Sequence, residues 1–296
     1  MNVELILPPK GNTIDGFPVW RALPRIKRRS IGPFVFLDQM GPTAFEAGKY
    51  LDVAPHPHIG LSTITWLIEG EILHRDSLGS ELVIRSGEVN WMTAGAGIVH
   101  SERSPDAQRH AGARVFGMQA WTALPKDRED TDPSFQHYPA DAIPEMTGDG
   151  ATASLIVGRG WGEQSPVVAQ SETLYAQIVL EPGGELDLPD APERAIYVAT
   201  GAVSIDGSAP VEAPCLAVLT RDARTVSADR PSLVMLLGGE PLDGPRAMDW
   251  NFVSSDPAKI DAARDRWIAR DFPTVPGDDG YTPYPSRDAP PKPSGA

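Results

Sequence analysis

Thirty prolines and 28 glycines cut this chain into short pieces, and no fold that ignores those breaks is open to it. Both residues punctuate regular structure, proline by fixing φ and removing an N–H, glycine by admitting turn conformations. The pieces between them are rich in β-branched and aromatic residues. Examples are Phe34-Val35-Phe36-Leu37, the run Ser62 to Ile68, Glu81-Leu82-Val83-Ile84 and the run Glu88 to Met92. Short strands bounded by turn residues at this spacing predict an all-β sandwich or barrel.

A second stretch of the same kind begins near Ala153. It includes Ala153 to Val157, Leu174 to Leu180, Ala195 to Ala199, Val203 to Gly207, Leu216 to Leu219 and Ser232 to Leu237. The order of strand and turn is similar in both halves, which predicts two copies of one β-barrel. Pro125 to Pro144 is polar, carries Glu129, Asp130 and Asp132, and reads as the connecting segment. Helical spacing of Ile260, Ala263, Arg264, Trp267 and Ile268 predicts one helix over Pro257 to Asp271. Seven prolines follow in the last 24 residues, so the tail is expected to be irregular, either disordered or strapped across the surface. The expected domains are 1–135, 136–272 and a Pro-rich tail, 273–296.

With 40 acidic against 26 basic residues, the net charge is −14. Nucleic acid or an anionic membrane would call for a basic surface, so neither is an expected partner. The local run Arg21, Arg25, Lys27, Arg28 and Arg29 reads as the solvated edge of an early strand. Cys215 is the only cysteine. No intramolecular disulfide can form, and its apolar neighbours make it a small buried hydrophobe. No secretory signal stands at the start, and no apolar run approaches the ~20 residues that cross a bilayer. A cytoplasmic protein is expected.

Chemistry concentrates in two matched pairs, His56-Pro57-His58 and His100-Ser101-Glu102. Residues two apart on a strand project to one face, so each pair offers two ligand groups on one side. If both strands face one interior, three imidazoles and a carboxylate converge on a metal. The turn Thr93-Ala94-Gly95-Ala96-Gly97 precedes the second pair, where glycine allows close approach of backbone. All six histidines, at 56, 58, 74, 100, 110 and 137, lie in the first half of the chain. A histidine site therefore belongs to the first barrel only. His74 reads as core-satisfied or solvated, and His110 and His137 as exposed loop residues. Imidazole and carboxylate suit Fe, Mn, Co, Ni, Cu or Zn. Four protein ligands leave two adjacent positions open on an octahedral ion but close a tetrahedral zinc. One divalent ion, Fe(II), is the expectation.

The strings Pro55-His56-Pro57-His58-Ile59-Gly60, Trp66-Leu67-Ile68-Glu69-Gly70 and Thr93 to Glu102 together resemble the pirin family of the cupin superfamily. Arg28 to Asp38 resembles the opening segment of pirins, and Gly238-Gly239-Glu240-Pro241-Leu242 a late motif of their second domain. Ordinary cupins place a glutamate four or five residues after His-x-His, where Ser62 and Thr63 stand here. The pirin pattern supplies Glu102 instead. The resemblance implies two stacked cupin barrels (a bicupin), with His56, His58, His100 and Glu102 holding iron in the first and no metal in the second. It implies either of two activities. One is a quercetin 2,3-dioxygenase, opening a flavonol ring with O2, with Glu102 also a general base. The other is a redox-sensitive regulator acting through a protein partner, a transcriptional cofactor or modulator of a metabolic enzyme. Under the first activity, Phe36, Met40, Phe45, Trp66 and Phe116 are candidates to hold the flat substrate.

Overall fold

The computed structural model describes residues 2–14 and 17–285. Two barrels of matching construction account for most of it. In the first, a seven-stranded sheet runs in the order Ser134–Tyr138, Val89–Thr93, Leu61–Glu69, Ala113–Ala123, Phe34–Phe45, Phe17–Leu23 and Lys10–Ile14. A four-stranded sheet, in the order Asp52–His58, Ile98–Arg103, Glu71–Asp76 and Glu81–Arg85, closes it. The second barrel repeats the scheme. Seven strands are centred on Glu193–Thr200, Ser232–Gly239 and Thr173–Leu180, and four more on Thr225–Ala228 and Ala202–Ile205. This is the all-β bicupin architecture the sequence predicts.

The large sheets are buried on both faces, which is why their strands read as nearly continuous apolar runs. Along Leu61–Glu69, Ile64 and Trp66 join a core shared with Tyr175, Tyr197, Met235 and Leu237 of the other barrel. Leu61 and Leu67, on the opposite face, join the first barrel's own clusters. Strand alternation thus assigns one face to the barrel interior and the other to the inter-barrel core. Two hydrogen bonds cross that core. Tyr197 donates to Gln39 Oε1 at 2.8 Å, and Trp66 Nε1 donates to Gln177 Oε1 at 2.9 Å. Partnering both polar ends avoids the desolvation cost of an unpaired buried group, about 1–3 kcal/mol each.

The chain ends cross between barrels. Val3–Leu7 pairs antiparallel with Cys215–Leu219 of the second barrel. The helix Pro257–Ile268 packs Ile260, Ala263 and Trp267 against Ile59 and Val99 of the first. Asp256 caps this helix by accepting from Ala258 N, and Pro257 occupies the first turn, where its missing N–H is harmless. It ends three residues before the expected Asp271, and Ile268 points outward at 57% exposure.

The segment expected to connect the barrels is more integrated than its polarity suggests. Ser134–Tyr138 pairs with Val89–Thr93 as a strand of the first barrel, and Glu129 is buried. Arg246 neutralises Glu129 at 3.0 Å, and Ser254 donates to it at 2.7 Å. Cys215 is buried, as expected. Of the tail, residues up to 285 pack as an irregular strap on the first barrel, while 286–296 lie outside the described residues.

Candidate metal centre

Asp52–His58 and Ile98–Arg103 are neighbours in the four-stranded sheet, with His100 opposite His56 and Ile98 opposite His58. That register puts three imidazoles on one face. The strand carrying His100 leaves a turn in which Gly95 has φ +51, and a side chain there would strike the carbonyl oxygen of Thr131. Only glycine permits that approach. Nitrogen atoms of His56, His58 and His100 all lie within 4.8 Å of one another. The pairing shifts register between His100 and Glu102, so that Glu102 faces Val53 on one side and His74 on the other. Glu102 lines the same cavity but stands outside the tight histidine cluster, its Oε1 3.5 Å from Thr65 Oγ1.

Backbone carbonyls fix the rings. A carbonyl can only accept, so His56 Nδ1–H donates to Ala54 O at 2.9 Å and His58 Nδ1–H to Asn251 O at 3.3 Å. In that tautomer Nε2 of each ring carries the lone pair that could ligate a metal. Burial pulls the pKa values of His58 and His100 well below the ordinary imidazole value, and the neighbouring histidines lower them further. Both rings are neutral at physiological pH, the form that binds metal. Burial acts oppositely on Glu102 and raises its pKa, with His74 and Thr65 opposing.

This donor set fits a metal ion. His58 Nε2 and His100 Nε2 stand 3.1 Å apart. Two nitrogens bound at ~2.1 Å and at right angles on one ion would be about 3.0 Å apart. Three buried imidazoles beside a half-buried carboxylate form a first-row transition-metal donor set. Orientation of metal-binding rings by backbone carbonyls is the usual supporting arrangement.

The cavity over these residues measures about 370 Å3, within the range of small-molecule sites. Of the residues expected to hold a flat substrate, Phe36 and Met40 line it. The other three aromatic candidates do not. Phe45 stacks on Phe17, while Trp66 and Phe116 belong to the inter-barrel core. Sequence reading missed Trp121, which stacks on Phe36 at 3.9 Å and meets His58 edge-on at 5.1 Å. It also missed the Arg21–Asp38 pair. Arg21 donates to Asp38 at 2.9 and 2.8 Å and lies over Phe36 at 4.4 Å. Arg21 is therefore part of the cavity wall and not a solvated strand edge. Burial raises the Asp38 pKa, with Arg21 opposing.

His74 is core-satisfied, bonded to Asp76 Oδ2 at 3.1 Å and stacked on Phe135. His110 is exposed, on a short helix and not a loop. His137 is a half-buried strand residue bonded to Asn90. Ser62, at the ordinary cupin glutamate position, pairs its hydroxyl with Thr93 at 3.1 Å. The second barrel's interior is filled by residues such as Leu155, Leu174, Ile178, Ile196, Val203 and Leu236. No helix among the described residues is long and apolar enough to cross a membrane.

Two barrels with a three-histidine pocket in the first define a bicupin with a candidate metal centre. The chain belongs to the pirin family: residues 16–122 match the Pirin model and 175–273 the pirin C-terminal cupin domain. A pirin-like protein of Caulobacter vibrioides is 48% identical over 271 residues, spanning 90% of this chain and 93% of that one. A quercetin 2,3-dioxygenase structure from Acinetobacter baumannii superposes with TM-score 0.88 at 34% identity, covering 99% of this chain and 96% of that one. The bacterial pirin YhhW of Escherichia coli, solved with nickel(II), shares the fold. Its TM-score is 0.62 at 20% identity, over 80% of this chain and 99% of that one.

Proposed function

We propose that this chain is a metal-dependent dioxygenase that opens the ring of quercetin or a related flavonol with O2. One observation carries the reading: a cavity of about 370 Å3 combines three clustered imidazoles and a carboxylate with an aromatic wall. The likeness to a quercetin 2,3-dioxygenase structure over nearly the whole chain supports the same substrate class.

In this reading His56, His58, His100 and Glu102 hold one divalent ion, Fe(II). When bound, the ion supplies positive charge that lowers the pKa of a flavonol hydroxyl and an electron path to O2. The chain's residues do the rest. Glu102 accepts the proton of the flavonol 3-hydroxyl as general base, from a half-buried position in the wall shared with the histidines. Phe36 and Trp121, stacked on one another, offer their aromatic surface to the flat rings. Met40, Leu51 and Val53 line the remaining wall and keep water from the reacting ring.

Aerobic incubation of the iron-loaded protein with quercetin tests the proposal. The flavonol absorption band should disappear with release of carbon monoxide. No turnover of a range of flavonols by any metal-loaded form would refute it.

A further inference from the structure

Among the described residues, the strand that carries His56 and His58 lies at the edge of its sheet and pairs with Ile98–Arg103 on one side. Pro55 and Pro57 have no N–H, so this stretch of edge can only accept hydrogen bonds. The C-terminal strap supplies the donors. Thr282 N–H donates to Pro55 O at 2.9 Å, and Thr282 Oγ1 donates to Ala54 O at 3.0 Å. Ala54 O is also the acceptor of His56 Nδ1–H. One carbonyl thus joins the strap to a ring of the donor set, and Thr282 itself lines the cavity.

The strap is anchored on both sides of that contact. Asp278 accepts from Arg103 at 2.6 and 2.7 Å. Trp267 Nε1 donates to Thr282 O at 3.0 Å, with Tyr281 stacked on the indole at 4.6 Å. The same part of the chain serves the second ring, since Asn251 O receives His58 Nδ1–H.

We propose that the C-terminal segment is part of the metal centre and that Thr282 is a positioning residue for His56. Its hydroxyl holds the Ala54 carbonyl where it orients the ring, so that Nε2 stays presented to the cavity. The proposal rests on the metal-binding part of the function above and not on its flavonol chemistry.

Thr282→Val tests it cleanly, because the main-chain bond to Pro55 survives and the strap stays docked while the hydroxyl is lost. Thr282→Ser restores the hydroxyl. Cobalt(II) titration of the metal-free full chain, followed by visible absorption with a competing chelator, reads affinity without any substrate. Affinity should fall about tenfold in Thr282→Val, at the lower end of what loss of a supporting contact costs, and return in Thr282→Ser. Nitrogen-15 spectra of the histidine rings in the metal-free chain give a second readout. The His56 Nδ1–H signal should be held in wild type and Thr282→Ser and broadened or moved in Thr282→Val. Equal cobalt affinity with unchanged ring spectra in Thr282→Val would overturn the proposal, as would failure of Thr282→Ser to restore both. A wild-type chain that binds no cobalt would refute the metal reading instead, and the ring spectra would still decide the role of Thr282.

Discussion

Asp278 ties the strap to the first barrel, and its contribution should be readable as a pH dependence of stability. Burial alone would raise its pKa, but hydrogen bonds from Arg103 and the Gly280 N–H outweigh that and bring it from 3.8 to about 2. Its side chain is 5% exposed, so solvent screening is small. A depressed carboxylate contributes stability above its unfolded pKa and loses it as pH falls through the folded one. That depression corresponds to about 2 kcal/mol at pH 7, falling to roughly half by pH 3. Asp278→Asn keeps the shape and removes the charge. Denaturant midpoints of wild type and Asp278→Asn should therefore differ by about 2 kcal/mol at pH 7, with the gap narrowing steadily below pH 4. A gap that stays constant between pH 7 and pH 3 would refute the assignment of this stability to the Asp278 charge.

Three further outcomes follow from the donor set. Metal analysis of the purified chain should give a stoichiometry near one, and His100→Ala should abolish it; two tightly held ions per chain would contradict the confinement of histidines to the first barrel. Glu102→Ala should abolish flavonol turnover and weaken metal binding, whereas the exposed His110→Ala should do neither, as paired activity and metal assays would reveal. The zinc-loaded form should melt at the same temperature as the Fe(II) form yet consume quercetin only at the uncatalysed rate, because zinc has no redox step to offer; Mn, Co and Ni forms should fall between.

How far the sequence announced this structure depended on how local each signal was. Period-two spacing put His56 with His58, and glycine chemistry before His100 marked a close turn, so the histidine triad was legible without coordinates. The alternation of turns and apolar strands gave two barrels for the same reason. What failed were judgements that needed a distant partner. Glu129 sits in an acidic run that reads as a solvated linker, and partners more than a hundred residues later, Arg246, Ser254 and Ser255, make its burial tolerable. Arg21 reads as an exposed edge until Asp38 and Phe36 are seen beside it. Trp66 and Phe116 were indistinguishable from cavity aromatics, because composition does not say which face of a strand meets the other barrel. Trp121 gives no local signal that separates it from them.

The two barrels share a strand scheme and differ in what fills them, and that difference is the strongest physical pointer to where the work is done. The second barrel closes its interior with aliphatic side chains. The first keeps a cavity lined by buried Asp38, His56, His58 and His100 and by half-buried Glu102. Cavities and buried titratable groups both cost stability, the first through lost packing and the second through lost hydration. Such costs gathered around the ligand-bearing interior of the first barrel mark it as the candidate functional site. Compensation comes from outside the barrel. The helix and strap close an edge strand whose prolines cannot donate, and Asp278 and Thr282 bond to strands that carry the donor set. A barrel alone, cut at the apparent boundary between halves, would lack those bonds; the centre is built by the whole chain.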